Sequence, residues 1–319
     1  MGALHTLLLL VALAPVAPDS APHQARALRV TVLSTMLADH TGIGEWGFAA
    51  LVEVDGRRLL FDTGERPETV LQNARELGID LSSVTDIVLS HHHADHAGGL
   101  MTLRKALAKR NPAALSRVHV AEGIFLDRTA PDGGAQRSSM TALRTAYEAT
   151  GGRFVVHGRP EEILPGVWVS GPVPRPNPER NWPHAGRIKT SQGMVEDSIP
   201  EDMSLYIDTP RGLVVITGCG HAGTINTVQH ARSVVREAPA YGLIGGLHLF
   251  ASSDRDVAWT ATKLKQFGLR NLIGAHCTGI EAVYRLREIA GLDRKTAVVG
   301  AVGSSFSLDG GIDPLDLAR

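Results

Sequence analysis

Residues 90–99, with the sequence SHHHADHAGG, constrain the fold of this chain more than any other stretch. They directly follow the apolar run Ile87-Val88-Leu89. Short runs of β-branched residues and leucine, bounded by polar residues and glycine, are typical of buried strands. The histidines are therefore expected on the loop that leaves such a strand.

The spacing within this loop predicts two neighbouring metal positions. His91 and His93 alternate and can direct two imidazoles at one point, whereas Asp95 and His96 can turn toward a second point. Neutral imidazole and carboxylate are preferred ligands of zinc and similar divalent ions. A solvated histidine-rich turn is the alternative, and four ligand-type residues in the order H-x-H-x-D-H make it the weaker one.

The loop and its neighbours resemble a known family. H-x-H-x-D-H followed by Gly98-Gly99 is similar to the metal signature of the metallo-β-lactamase superfamily, and FDTG at 61–64 resembles its strand-end aspartate motif. GCGHAG at 218–223, IGGLHL at 244–249 and HCTG at 276–279 resemble the branch that contains a dihydropterin-condensing synthase. The resemblance extends from about residue 28 to about residue 308.

The order of predicted elements agrees with the fold that this resemblance implies. Hairpin patterns occur near the start and again after the midpoint, each followed by helices, which indicates two sheets packed face to face. The resemblance implies fold class α/β, an αββα sandwich of two mixed β-sheets with helices on the outer faces. A dinucleotide-binding fold is excluded because no G-x-G-x-x-G follows the first strand.

The resemblance also implies which side chains bind metal, although it leaves two positions open. The usual G-H-T-x-G histidine is absent, and Cys219 stands where an aspartate normally bridges the two ions, so either Cys219 or His221 could complete the site. His276 fits the last ligand better than His248 does. The expected ligands are His91, His93, Asp95, His96, His221 and His276, with Cys219 as a further candidate; Asp95 also orients the attacking water, while Asp62, His248 and His184 contact ligands or substrate.

Composition limits the partners. A formal net charge of −1 gives no bulk attraction to nucleic acid, and two cysteines do not form a disulfide scaffold. The apolar segment 7–16 is too short to span a bilayer but suits a secretory signal, and Ala25-Arg26-Ala27 offers a cleavage pattern. These features predict a signal peptide at 1–27, one catalytic domain at 28–319, export to the periplasm or medium, and no stable membrane anchor. A retained N-terminal extension on a cytoplasmic protein is the alternative.

Six prolines between residues 171 and 202 predict a long irregular loop, which is either a lid or merely solvated. Its cations, Arg175, Arg180, Arg187 and Lys189, are the candidates for binding an anionic small-molecule substrate. The expected function is hydrolysis of an ester, lactone, amide or phosphoester with two divalent ions, Zn²⁺ first and Mn²⁺ or Fe²⁺ as alternatives. A pterin-condensing transferase and a non-catalytic metal-containing sensor are the competing interpretations, and the oligomeric state is not predicted.

Overall fold

Two large mixed sheets form the centre of the molecule. The computed structural model describes residues 23–129, 140–182, 186–191 and 193–318. The first sheet contains, in spatial order, β20 (Gly311–Asp313), β19 (Ser305–Ser307), β1 (Leu28–Ser34), β3 (Ala49–Val54), β4 (Arg57–Phe61), β5 (Asp86–Val88), β6 (Arg117–Ala121) and β8 (Arg153–His157). The strands from β20 to β4 pair antiparallel, and those from β4 to β8 pair parallel.

The second sheet has the same mixed character. It contains, in spatial order, β17 (Ala297–Val299), β16 (Asn271–Gly274), β15 (Ala240–Gly245), β14 (Gly212–Thr217), β13 (Leu205–Thr209), β10 (Val167–Val169) and β9 (Glu161–Leu164). Strands β14 to β17 are parallel, and β13 and β14 form an antiparallel hairpin. Two small sheets complete the set: β2 (Leu37–Ala38) with β18 (Ala301–Val302), and β7 (Arg128–Thr129) with β11 (Arg187–Thr190) and β12 (Gly193–Glu196).

Helices cover the outer face of each sheet. The first sheet packs against α1 (Thr69–Glu76), α3 (Leu100–Ala108) and α4 (Met140–Glu148), and the second against α5 (Thr224–Val234), α6 (Asp254–Gln266) and α7 (Ile280–Ala290). A short helix, α2 (Ala94–Ala97), lies in the histidine loop, and one 3₁₀ turn spans His276–Thr278.

Alternation along the strands explains why both faces of each sheet are covered. In β3, Ala50 and Val52 point into the core between the sheets, while Ala49 and Leu51 point toward the helices of the first sheet. Successive strand side chains face opposite sides, so an almost continuous apolar strand needs packing on both. The four layers confirm the αββα sandwich that the sequence predicted.

The proline-rich segment is more regular than predicted. Residues 187–190 and 193–196 form β11 and β12, which pair antiparallel. No proline occurs between Pro183 and Pro200, so this part of the segment has all the backbone N–H groups that a hairpin needs. The prediction of one irregular loop over 171–202 is therefore wrong for these residues.

The folded unit begins before Leu28. Ala25 is fully buried in the core between the sheets, and its N–H donates to the Asp208 carbonyl at 2.8 Å. The N–H groups of Arg26 and Ala27 both donate to the Asp55 carboxylate. Most of the predicted signal peptide, residues 1–22, lies outside the described residues. Within the described ranges, no helix is both long and apolar enough to cross a membrane.

Candidate metal centre

Strand ends from both sheets bring the predicted ligands to one edge of the sandwich. Asp62 follows β4, the histidine loop follows β5, Cys219 and His221 follow β14, His248 follows β15 and His276 follows β16. Within each sheet these strands are parallel neighbours, so their carboxyl ends lie at the same edge.

Asp62 determines the orientation of two histidines. Its carboxylate accepts hydrogen bonds from the Ser90 N–H at 2.7 Å and the Ser90 hydroxyl at 2.8 Å. Its Oδ2 also lies 2.7 Å from Nδ1 of His96. Because the Ser90 hydroxyl donates its only proton to Asp62, Nδ1 of His91, 2.9 Å away, must be the donor in their contact. In its neutral form each imidazole therefore carries its proton on Nδ1 and directs an unprotonated Nε2 to the cleft, which is the arrangement that metal-binding histidines need.

His221 is oriented by a different group. Its Nδ1 lies 2.5 Å from the backbone carbonyl oxygen of Asn181. Its Nε2 is buried and has no hydrogen-bond partner. A buried nitrogen without a partner is costly unless something absent from the protein itself satisfies it.

The donor atoms converge in overlapping groups, within each of which all atoms lie within 4.8 Å of one another. His91 is grouped with Cys219 and His221 in one region, Asp95, His96 and His276 are grouped with Cys219 in a second, and a further group joins His91 and His93 to Asp95 across the two. His91 Nε2 and His93 Nδ1 approach to 2.9 Å, and His96 Nε2 lies 3.1 Å from Cys219 Sγ. Nitrogen, carboxylate oxygen and sulfur in tight buried clusters suit divalent zinc-like ions. The residues therefore fit a metal centre.

His248 lies beside this centre, in a third group with Cys219 and Cys277. Its ring is 4.6 Å from that of His221, and its Nδ1 has no hydrogen-bond partner. His248, His276 and Asp62 all have positive φ, at 50°, 48° and 56°. Non-glycine residues with such backbone angles tend to occur at functional sites.

The ionisable side chains of the two regions differ in their protonation states. Burial, together with neighbouring histidines, sets the pKa values of His91 and His221 well below the usual range, so both rings stay neutral and able to bind a cation. For Asp95, burial raises the pKa, but His96 and His276 outweigh this effect and lower it. Burial opposes protonation of His276, yet Cys277 and Asp95 raise its pKa to about 10.

The two thiols respond in opposite directions. Burial raises the pKa of Cys219 well above its usual value. Burial also disfavours the Cys277 thiolate, but hydrogen bonding from Cys219 and the charge of His276 lower its pKa well below the usual range. Both cysteines are free and buried.

The first part of the proline-rich segment forms a strap, defined as residues 177–181, across the start of α5. The buried Glu179 carboxylate accepts hydrogen bonds from the N–H groups of Ile225 and Asn226 at 3.0 and 2.9 Å. Asn177 bonds to Asn226, and the Asn181 amide donates to the Leu247 carbonyl at 3.2 Å. The N–H groups of Ile225 and Asn226 at the start of α5 therefore bind Glu179.

The predicted anion-binding cations lie away from the cleft. Arg175 donates to the Ile199 carbonyl and lies over the Trp182 ring, and Arg180 pairs with Glu196. Arg187 donates to the Met194 carbonyl, and Lys189 extends from the exposed β11 hairpin. None of these four residues lines the cleft among the described residues. Three of the four charged groups already have protein partners, and a role in binding an anionic substrate stays a prediction. His184 lies outside the described residues.

Sequence reasoning missed several supporting groups. His92, between the two ligand histidines, places Nδ1 2.6 Å from the buried Glu201 carboxylate, which Arg128 also binds. No sequence pattern indicated that Glu179 and Asn181, which lie in the proline-rich segment, support the site. A cluster of His119 with His157 and Asp86 forms elsewhere, between the sheets, and does not reach the cleft.

Comparison with known proteins fixes the family. The model of the metallo-β-lactamase superfamily matches residues 47–184. A 7,8-dihydropterin-6-methyl-4-(β-D-ribofuranosyl)-aminobenzene-5′-phosphate synthase from Methanocaldococcus jannaschii is 30% identical over 261 residues, covering 78% of this chain and 87% of the synthase. The chain belongs to the metallo-β-lactamase superfamily.

Solved structures agree with this assignment. Tm1679, described as a metal-dependent hydrolase of the β-lactamase superfamily, superposes with a TM-score of 0.68 at 26% identity. The match covers 92% of this chain and 100% of Tm1679. YhfI from Bacillus subtilis shares the fold alone, with a TM-score of 0.53 at 14% identity over 88% of this chain and 99% of YhfI. The resemblance seen in the motifs is confirmed, and the superfamily's reliance on divalent metals agrees with the ligand-type cluster.

Proposed function

We propose that this superfamily member is a hydrolase with a dinuclear metal site, which cleaves an ester, lactone, amide or phosphoester bond of a small molecule. The observation that carries the proposal is the unpartnered Nε2 of His221, buried next to His91 and Cys219. This nitrogen supplies the third histidine that the sequence lacked at its usual place. Zn²⁺ is the expected ion, because Cys219 adds a sulfur ligand.

We assign the ligands to two sets, with Cys219 as a candidate member of both. His91, His93 and His221 would hold one ion, and Asp95, His96 and His276 the other, with Cys219 between them. His248 contacts His221 and belongs to neither set, so we assign it to the substrate side. This assignment uses both Cys219 and His221, and it prefers His276 to His248 as the last ligand.

Two divalent ions would supply Lewis-acid polarisation of the reacting carbonyl or phosphoryl oxygen and activation of a water molecule near neutral pH. The chain's own residues do the positioning. Asp62 holds His96 and, through Ser90, His91. The Asp95 carboxylate lies 3.2 Å from His276 Nε2 and 3.7 Å from His96 Nε2, and its low pKa keeps it ionised to orient the attacking water.

A condensing transferase is the second candidate, because the synthase from M. jannaschii is similar over most of its length. Condensation would require a site for two substrates and for a departing group. Among the described residues, the cleft measures about 330 Å³ and its lining contains neither lysine nor arginine. Hydrolysis of one small substrate is more consistent with this lining.

Activity assays on metal-restored protein test the proposal. Metal-stripped protein, reloaded with Zn²⁺, Mn²⁺ or Fe²⁺, is offered ester, lactone, amide and phosphodiester substrates, and separately a dihydropterin diphosphate with an arylamine. We expect metal-dependent hydrolysis of one class, abolished in Asp95→Asn. Condensation without hydrolysis would favour the transferase, and inactivity with full metal loading on all substrates would favour a non-catalytic sensor.

A further inference from the structure

Two large aromatic side chains remain exposed at the mouth of the cleft. Trp46 is 40% exposed and Phe250 is 53% exposed. We propose that they form the substrate-recognition wall of this site, which binds a flat, uncharged aromatic group of the substrate. The proposal rests on the function proposed above and names the class of substrate that the site selects.

Trp46 is held on a rigid backbone. The carboxylate of the preceding Glu45 accepts hydrogen bonds from the Ser34 hydroxyl at 2.7 Å and from the N–H groups of Glu65 and Arg66. Two residues further on, the Phe48 N–H donates to the Asp95 carbonyl. An exposed tryptophan fixed on both sides and joined to the histidine loop is positioned as part of the site.

Phe250 is fixed in a comparable way from the other sheet. Its N–H donates to the Cys277 carbonyl at 3.3 Å. A Cβ added at Gly279 would lie 2.8 Å from the Phe250 Cα, so the two backbones pack in direct contact. The ring therefore has little freedom to withdraw, although more than half of it is in contact with solvent.

The two rings form a corner above the predicted ligands. Their centroids are 5.7 Å apart and their planes make an angle of 81°. Trp46 also contacts the His276 ring at 4.9 Å, and Phe250 contacts the His248 ring at 5.2 Å. A third aromatic ring placed in this corner would meet one ring face and one ring edge, the two arrangements that aromatic pairs prefer.

The charges around the corner select for an uncharged group. The described lining of the cleft contains the carboxylates of Glu65 and Asp95 but no lysine or arginine. An anionic substituent could be neutralised at the metals, yet it would find no lysine or arginine at the wall. Exposed apolar surface bordered by polar groups commonly marks a ligand site. The wall therefore suits an aromatic ring that carries no negative charge.

Three simple hydroxamates distinguish the contribution of the wall to binding from that of the metal centre. Acetohydroxamate reports on the metals alone, benzohydroxamate adds a flat ring, and cyclohexanecarbohydroxamate adds a ring of similar size that is not aromatic. Dissociation constants are measured by calorimetry with zinc-loaded full-length protein. We expect benzohydroxamate to bind about tenfold more tightly than the cyclohexane compound, the factor expected for one or two good aromatic contacts.

The variants Trp46→Leu and Phe250→Leu keep an apolar side chain and remove the ring. Each should bring the benzohydroxamate to cyclohexanecarbohydroxamate ratio close to one, with acetohydroxamate binding unchanged. Trp259→Leu, on the outer helix α6, is the matched control and should keep the wild-type ratio. Equal binding of the two ring compounds to the wild type would overturn the proposal that this wall recognises an aromatic group. An unchanged ratio of their dissociation constants in both wall variants would overturn it as well. Failure of acetohydroxamate to bind the wild type would instead overturn the metal centre, and the wall proposal with it.

Discussion

The backbone carbonyl oxygen of Asn181 lies 2.5 Å from Nδ1 of His221. A carbonyl can only accept, so the proton of this imidazole is on Nδ1 and the lone pair is on Nε2. Asn181 belongs to the strap that Glu179 fastens to the start of α5. The strap therefore controls the tautomer and the orientation of His221, a predicted metal ligand.

The first prediction concerns this control. Glu179→Ala should weaken binding of one of two zinc ions about 10- to 100-fold, the usual effect of removing a group that orients a ligand. Glu179→Gln keeps an acceptor oxygen for the α5 N–H groups and should therefore weaken zinc binding less than Glu179→Ala does. Competition with a chromophoric chelator measures the affinities, with circular dichroism to verify folding.

Glu148→Ala is the matched control for the strap. Glu148 lies on α4 and pairs with Arg144 on the surface, so its removal should leave zinc affinity unchanged. Wild-type affinity in Glu179→Ala would show that the strap does not orient His221.

The second prediction concerns the cysteines, which are free in the structure. With zinc bound, Cys219 should resist alkylation, and chelation should make it reactive, because a metal-coordinated thiolate is masked. Mass spectrometry of protein labelled with and without chelator measures this. A mass lower by two hydrogen atoms in the unreduced protein would instead reveal a disulfide between Cys219 and Cys277.

The third prediction concerns acid stability. His157 is buried between His119 and Glu161. Burial is the main cause of its lowered pKa, and repulsion from His119 adds to it. A histidine whose pKa is lower in the folded state stabilises the fold above its unfolded pKa of about 6.5, and this contribution is lost as the pH falls.

His157→Gln should therefore reduce the dependence of the unfolding free energy on pH between 7 and 5. Denaturant titrations of both proteins, with chelator present to remove any effect of metal release, provide the comparison. Parallel pH profiles for the two proteins would contradict this account of His157.

The fourth prediction concerns the N-terminal residues. A chain beginning at residue 28 should unfold at a lower denaturant concentration than one beginning at residue 23, because it lacks the buried Ala25 and the hydrogen bonds to Asp208 and Asp55. Loss of one small buried side chain and several hydrogen bonds corresponds to about 2 kcal/mol. Equal midpoints would show that residues 23–27 contribute nothing to stability.

The sequence predicted the fold and the histidine loop because both depend on local patterns. Strand alternation, helix periodicity and the spacing of His91, His93, Asp95 and His96 all lie within short windows. Cys219, His221 and His276 are far from this loop in the chain, and only the resemblance of their motifs to the superfamily indicated that they join the same site.

The supporting residues could not be predicted, because their roles exist only between distant segments. Glu179 and Ile225 are separated by 46 residues, and Asn181 and His221 by 40. Nothing in a proline-rich stretch distinguishes a capping glutamate from a solvated one. The contacts of Arg175, Arg180 and Arg187 with Ile199, Glu196 and Met194 are likewise visible only in the fold.

Metal content tests the central claim most directly. Full-length protein is stripped, reloaded with excess Zn²⁺, passed through a desalting column and analysed by plasma mass spectrometry. We predict close to two ions per chain in the wild type and in His230→Ala, a histidine outside the cleft, but close to one in His221→Ala and in His276→Ala. Zinc content of one ion or less per folded wild-type chain, or two ions retained in both ligand variants, would contradict the dinuclear site.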